Sequence, residues 1–181
     1  MTSDEALMLE FQGGSRAAFE ELFARYRKPL YGFFARRLDN PERAEDLTQE
    51  AFLAVIRAAS RYEPRALVRT YLCGIALNLL AAERRKLLTS STLGQSAPEP
   101  KTEGTPERVL WVRQAMEKLD PPDREILMLR EFEQLSYSDI AELLRIPVNT
   151  VRSRLFRSRL ALKSYLRARA GQPHPGRRGM Q

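Results

Sequence analysis

The apolar residues of this chain recur at the three- and four-residue spacing of amphipathic helices, and no segment shows the alternation typical of a half-buried strand. The pattern predicts four helices in the first half of the chain. They are separated at Gly13-Gly14, at Asn40-Pro41 and at Pro64, since glycine and proline interrupt regular helices.

Polar residues stand where these helices are expected to begin. Thr2 and Glu5 have the spacing of a capping box for a short first helix. Ser15 is the predicted N-cap of the second helix, and Asn40, followed by proline, is the predicted N-cap of the third. Two further cap-and-proline pairs, at residues 105–106 and 120–121, predict the first helices of the second half.

Residues 135–159 predict two short helices joined by a tight turn. Ser136 is the expected N-cap of the first, with Asp139 as its capping-box partner. Pro147 bars one continuous helix, and Asn149 is the predicted N-cap of the second. This is the layout of a helix-turn-helix, whose second helix lies in the DNA major groove.

The second of these helices is expected to turn cations outward. Val151 and Leu155 point inward at i, i+4, and the opposite side carries Arg152, Ser153, Phe156 and Arg157. From Leu143 to the end of the chain there are ten Lys or Arg and no Asp or Glu. The alternative is a merely solvated basic helix, but such helices usually mix both signs, so this segment is predicted to bind DNA.

The composition changes between the two halves. Twelve of the eighteen residues 89–106 are Ser, Thr, Pro or Gly, too little apolar material to form a core. The chain is therefore predicted to be all-α, with two small helical domains joined by a flexible linker. Residues 1–88 form the first domain, 89–105 the linker, 106–170 the second domain with the helix-turn-helix, and 171–181 a disordered tail.

The net charge of +7 over 181 residues favours a polyanionic partner. No apolar run is long enough to insert into a membrane, and the acidic, amphipathic N-terminus does not resemble a signal peptide. Cys73 is the only cysteine, so no internal disulfide is possible and a cytoplasmic location fits. No metal-ligating cluster, glycine-rich phosphate loop or nucleophile motif is present, so neither a cofactor nor an enzymatic activity is expected.

Three blocks together resemble a known family. They are residues 18–38, residues 44–62 with D-L-T-Q-E at 46–50, and residues 119–163 around the helix-turn-helix. The chain resembles a bacterial RNA polymerase sigma factor of the extracytoplasmic-function (ECF) type. The first domain is similar to region 2 of that family, and the second is similar to region 4.

The resemblance implies three sets of site residues. Core RNA polymerase would be bound by Asp46, Gln49 and Glu50. Residues 62–85 would open the −10 promoter element and capture an unstacked base, through Asn78, Tyr62, Tyr71, Arg84 and Arg85. The spacing equally allows Tyr71 to be a core residue. The −35 element would be contacted by Thr150, Arg152, Ser153, Phe156 and Arg157.

Some positions depart from the family pattern. Arg145 and Asn149 replace glycines in the helix-turn-helix; asparagine tolerates the left-handed conformation, whereas arginine would be slightly strained there. Tyr71 and Ile56 replace tryptophans that are common in the family.

The resemblance implies a sigma factor that binds core RNA polymerase, directs it to promoter DNA and assists melting of the −10 region. An anti-sigma factor is an expected partner, and the free protein is expected to be a monomer. One alternative is a helix-turn-helix regulator that does not dock on polymerase, which would have no reason to carry D-L-T-Q-E. The other alternative is a nuclease that holds a metal ion on Asp46 and Glu50, but no further ligand converges on that pair in the sequence.

Overall fold

A computed structural model of the chain describes residues 2–91 and 107–170, and every regular element within these two ranges is helical. The chain divides into two compact units, Met1–Lys101 and Thr102–Gln181. The predicted all-α fold with two helical domains is confirmed.

The first unit contains four α-helices and a single turn of 3-10 helix. They are α1 (Asp4–Gln12), α2 (Arg16–Ala35), α3 (Pro41–Ala58), the 3-10 turn (Ala59–Arg61) and α4 (Val68–Ser91). Ser15 and Asn40 are the N-caps of α2 and α3, as predicted, each accepting a hydrogen bond from a backbone N–H three residues on.

The predicted capping box of the first helix is wrong. The N-cap of α1 is Ser3, whose hydroxyl accepts from the N–H of Ala6 at 3.2 Å. Glu5 is instead free to reach another helix, because its side chain is not needed at the start of its own.

The core of the first unit forms where α1, α2, α3 and α4 pack together. Its largest fully buried side chains are Met8, Phe33, Phe34, Leu47, Val68 and Leu80. Beside it, the rings of Phe11, Phe19, Phe23 and Phe52 form a chain of aromatic contacts, with Phe23 and Phe52 only 4.6 Å apart between ring centroids. Cys73 is buried.

The second unit contains α5 (Glu107–Glu117), α6 (Pro121–Glu131), α7 (Tyr137–Leu144) and α8 (Val148–Ala170). Its core collects one apolar stripe from each of the last three helices, with Ile126, Leu129, Ile140, Val151 and Leu155 all nearly inaccessible to solvent. Val151 and Leu155 therefore face inward, as the sequence indicates.

Helix α7, the first helix of the helix-turn-helix, is closed by hydrogen bonds at both of its ends. Ser136 and Asp139 form the predicted capping box at the start of α7. At its end, Arg145 is left-handed (φ 54°, ψ 46°), and the N–H groups of Arg145 and Ile146 donate to the carbonyls of Glu142 and Ala141. This is a Schellman motif, in which glycine is the usual left-handed residue.

Asn149 does not have its predicted role. Helix α8 begins at Val148, and the carbonyl of Pro147 accepts from the N–H groups of Thr150 and Val151. Asn149 therefore lies inside the first turn of α8, so of the two positions where glycine is usual, only Arg145 needs the left-handed conformation.

One domain boundary also differs from the sequence estimate. Helix α4 continues to Ser91, so the first three residues of the predicted linker are helical. The rest of the linker and the predicted tail, residues 171–181, lie outside the described residues.

Substitution by glycine at residues 145 and 149, the two positions where glycine is usual, should have opposite effects on stability. Arg145→Gly should stabilise the second unit by about 0.5–1 kcal/mol, because it removes strain in the left-handed region. Asn149→Gly should destabilise it by about 0.3–0.5 kcal/mol, because glycine is a poor helix former. Trp111 in α5 is the only tryptophan, so urea unfolding followed by its fluorescence reports on this unit. Equal signs for the two variants would contradict the assigned geometry.

Candidate nucleic-acid and protein interfaces

The outer face of α8 gathers the residues that the sequence assigns to DNA. Arg152, Ser153, Phe156 and Arg157 are exposed, and Thr150 is half-buried at the start of the helix. Phe156 keeps 70% of its surface in solvent, an unusual state for a large aromatic side chain. The buried Val151 and Leu155 fix the rotation of the helix, so this face points away from the core.

The arginines of α8 fall into two groups. Arg159 donates to the carboxylate of Glu131 on α6 at 2.7 Å, and Arg154 lies 3.6 Å from Asp123 on the same helix. Arg152 and Arg157, by contrast, make no ion pair with any residue in the described ranges, so their guanidinium groups remain available for an external anion. A pair of available guanidiniums flanking an exposed aromatic ring can bind phosphates and base edges.

A second polar surface lies on α4. Asn78, Arg84 and Arg85 are exposed, and Asn78 and Arg85 share a face because they are seven residues apart. Neither arginine forms an ion pair within the part of the chain that the structure describes. The arrangement places an amide and two cations along one helix, which suits a nucleic-acid strand.

Tyr62, to which the family resemblance assigns base stacking, is buried in this structure. Only 5% of its surface is exposed, and its ring packs edge-to-face on Tyr71 at 5.3 Å between centroids. Burial raises the pKa of both phenols above the ordinary value of 10.0. Tyr62 is therefore a core residue, and the half-buried Tyr71, packed against it, fits the core alternative better than a stacking role.

The exposed side of α3 carries a stripe of mixed character. Asp46 and Gln49 are exposed, as expected for interface residues, and Leu53 and Ile56 continue the same face with 48% and 46% of their surfaces in solvent. The spacing of residues 46, 49, 53 and 56 is a heptad signal, which could have identified the stripe from the sequence. An apolar centre with a polar rim is typical of a protein-binding surface.

Glu50 is half-buried, and Arg43 holds its carboxylate at 3.1 Å. Arg43 lies at the centre of an acidic group, with Asp46 at 3.6 Å and a bidentate contact to Glu83 of α4 at 2.7 Å from both Nε and Nη2. Hydrogen bonds from Arg43 lower the pKa of Glu83 below its usual range, despite burial, and raise that of Arg43. Sequence reasoning missed this network, since nothing in the sequence pairs residues forty positions apart.

The described residues contain neither a candidate metal site nor a candidate membrane-spanning helix. Among the described residues, no group of three or more His, Cys, Asp or Glu could hold a metal ion. No helix in those ranges is long and apolar enough to cross a membrane.

The chain matches two family models in the order expected of their regions. Residues 22–87 match Sigma-70 region 2, and residues 110–162 match Sigma-70, region 4. The first match covers most of α2, all of α3 and most of α4, and the second covers the helix-turn-helix.

Full-length relatives extend these matches. The chain is 33% identical to the RNA polymerase sigma-H factor of Pseudomonas aeruginosa, over 90% of this chain and 93% of the relative. It is 30% identical to the ECF RNA polymerase sigma-E factor of Haemophilus influenzae, over 87% and 92% respectively. Among solved structures, the chain has the same fold as the sigma factor RpoE of Bartonella quintana, which was solved in complex with the anti-sigma factor NepR. The TM-score is 0.69 and the identity 21%, and the match covers 82% of this chain and 96% of RpoE.

The Arg43–Glu83 contact predicts a pH-dependent contribution to stability. A carboxyl group whose pKa is lower in the folded than in the unfolded protein stabilises the folded state at pH values above its unfolded pKa. The contribution of Glu83 is therefore complete at pH 7. It is lost as the pH falls below 4.5, the unfolded value, and passes through the lower pKa of the folded state. Glu83→Gln should cost about 1–2 kcal/mol at neutral pH, and the difference from the unmodified protein should shrink in acid.

Urea unfolding followed by far-UV circular dichroism tests this effect, with Trp111 fluorescence marking the transition of the second unit. Glu10→Gln, which alters an exposed glutamate on α1, is the control and should leave stability unchanged at both pH values. A Glu83→Gln deficit that is independent of pH would contradict the charge-based account.

Proposed function

The chain belongs to the ECF sigma factors of RNA polymerase, and from that premise we propose how its three exposed faces divide the work of transcription initiation. As a sigma factor, it binds core RNA polymerase, directs the enzyme to promoters and assists opening of the −10 region. The observation that carries the division is that three separate helices expose three chemically different faces. The chain itself performs no catalysis; the polymerase does, and the site of action is the cytoplasm.

The stripe on α3 docks on polymerase. Asp46 and Gln49 form its polar rim, and Leu53 and Ile56 supply the apolar area that an interface centre requires. Glu50 contributes indirectly, because Arg43 fixes its carboxylate beside the stripe.

The two other faces bind promoter DNA. Helix α4 presents Asn78, Arg84 and Arg85 to the −10 element, where an amide can hydrogen-bond an unstacked base and the cations can follow the backbone. Helix α8 presents Arg152, Ser153, Phe156 and Arg157 to the major groove of the −35 element. Capture of the unstacked base offsets part of the cost of unstacking it. The two tethered DNA contacts also raise each other's effective concentration.

An anti-sigma factor is a fitting regulatory partner. RpoE of Bartonella quintana is bound by such a protein. In this chain, the exposed apolar residues Leu53, Ile56 and Phe156 are the places where a covering protein would gain most from burial.

The helix-turn-helix regulator without polymerase docking is not favoured. It would account for α8, but it leaves the stripe on α3 and the match to Sigma-70 region 2 without a purpose.

In vitro transcription with purified core polymerase and genomic promoter fragments tests the function, and Asp46→Ala with Gln49→Ala tests the docking face. The double variant should bind core polymerase about tenfold more weakly, corresponding to roughly 1.4 kcal/mol, and leave binding of isolated −35 DNA unchanged. Glu10→Ala with Gln114→Ala makes the same kind of change on α1 and α5 and should have no effect. Undiminished polymerase binding by the α3 variant would remove the interface assignment.

Arg152→Ala should weaken promoter binding in a sequence-dependent manner. A lost base contact costs about 1–3 kcal/mol at one −35 position and relaxes the preference there. Lys163→Ala removes an exposed cation eleven residues further along α8, and we expect a uniform loss and a shallower salt dependence, as for a phosphate contact. Titrations against single-base −35 variants at two salt concentrations separate the two behaviours. If Arg152→Ala lowers affinity equally for all −35 variants, Arg152 positions the helix and does not read a base.

A further inference from the structure

We propose that α1 is a positioning element for promoter melting, because Glu5 and Gln12 hold the two ends of the loop of residues 62–67. This inference rests on the proposed function, in which helix α4 engages the −10 element, and it extends that role to the loop that leads into α4. Helix α1 itself lies before residues 22–87, the part of the chain that matches Sigma-70 region 2.

Both ends of the loop are bound to α1 through side chains. At the start, the amide Nε2 of Gln12 donates to the carbonyl of Tyr62 at 3.1 Å. At the end, the backbone N–H of Val68 donates to Oε1 of Glu5, also at 3.1 Å. Glu5 and Gln12 lie seven residues apart, so they share one face of α1 and are separated by about 10 Å along its axis. A single rigid helix therefore sets the span of the loop.

The Glu5 contact also completes the N-terminus of α4. Leu67 precedes that helix and has no side-chain oxygen with which to accept a hydrogen bond from it. Glu5 provides the missing acceptor from another helix and places a negative charge at the positive end of the helix dipole. The first turn of the helix that carries Asn78 is thus fixed by α1.

Helix α1 is itself anchored firmly enough to act in this way. Leu7 and Met8 are buried against the other helices. The carboxylate of Asp4 accepts from Arg25 at 2.6 Å and from the hydroxyl of Tyr26, both on α2. Burial alone would raise the pKa of Asp4, but these hydrogen bonds lower it below its ordinary value. Helix α1 is therefore held on α2 both by burial and by hydrogen bonds.

Between its two anchors, the loop exposes the side chains available to DNA. Glu63, Pro64, Arg65 and Leu67 are exposed, whereas Tyr62 beneath them is buried. Capture of an unstacked base requires groups that are already in position, since ordering them on binding would reduce affinity. Glu5 and Gln12 supply that order without touching DNA, so they are positioning residues.

The test compares Glu5→Ala and Gln12→Ala with Glu5→Gln, which keeps an acceptor for Val68, and with Glu10→Ala, an exposed glutamate on the same helix. The full chain is assembled with core polymerase, and permanganate reactivity of −10 thymines measures opening on single-base −10 and −35 variants. We expect roughly threefold to tenfold less opening for the two alanine variants, with altered base preference at −10 only. Glu5→Gln should recover most of the activity, and Glu10→Ala should match the unmodified protein.

Amide hydrogen exchange provides a readout that does not depend on activity. The Val68 amide should exchange faster in Glu5→Ala than in Glu5→Gln, and core amides of α2 should be unchanged in both. If Glu5→Ala loses stability overall, the exposed Gln12 gives an independent test through Gln12→Ala.

Two results would overturn the inference. One is that the alanine variants open promoters with the same efficiency and the same −10 preference as the unmodified protein. The other is an equal loss of opening across −10 and −35 promoter variants, which indicates general destabilisation. Failure of the unmodified protein to open any promoter with polymerase is distinguishable from both. That failure would overturn the proposed function and this inference with it.

Discussion

The bidentate ion pair between Arg43 of α3 and Glu83 of α4 is the contact on which the arrangement of the first unit depends. Only 8% of Glu83 is exposed, and a buried carboxylate is costly unless a cation and hydrogen bonds compensate it. Arg43 meets that requirement and thereby joins the two helices at a fixed rotation. Because α3 carries the stripe proposed to dock on polymerase and α4 carries Asn78, the outer faces of the two helices keep fixed directions relative to each other. Polymerase docking and −10 engagement are therefore proposed to occur on one rigid body.

The helices themselves could be predicted from the sequence because their determinants are local. Ser15, Asn40 and the Ser136–Asp139 capping box act over three residues, and the inward positions of Val151 and Leu155 follow from helical periodicity. The errors fall where a local signal competes with tertiary structure. Thr2 and Glu5 have capping-box spacing, but Glu5 serves the N-terminus of another helix. Tyr62, for which the resemblance implies a contact with DNA, is buried with its ring against Tyr71.

The candidate site was predictable in composition but not in its internal division. A sequence shows that α8 is rich in arginine, but not that Arg154 and Arg159 face carboxylates of α6 while Arg152 and Arg157 face solvent. That division depends on how two helices pack, which residue spacing within one helix cannot reveal. The same limit applies to Glu50, whose carboxylate is paired with Arg43.

The attachment of residues 62–67 to α1 bears on how promoter specificity could be transferred between sigma factors. A chimera that receives only this loop and α4 from the present chain would have to find its own acceptor for the first N–H of the helix and its own donor for the carbonyl of Tyr62. Those groups come from residues fifty and sixty-three positions earlier, outside any contiguous exchange of the loop. The exchangeable unit is therefore discontinuous in sequence, and it begins at the N-terminal helix.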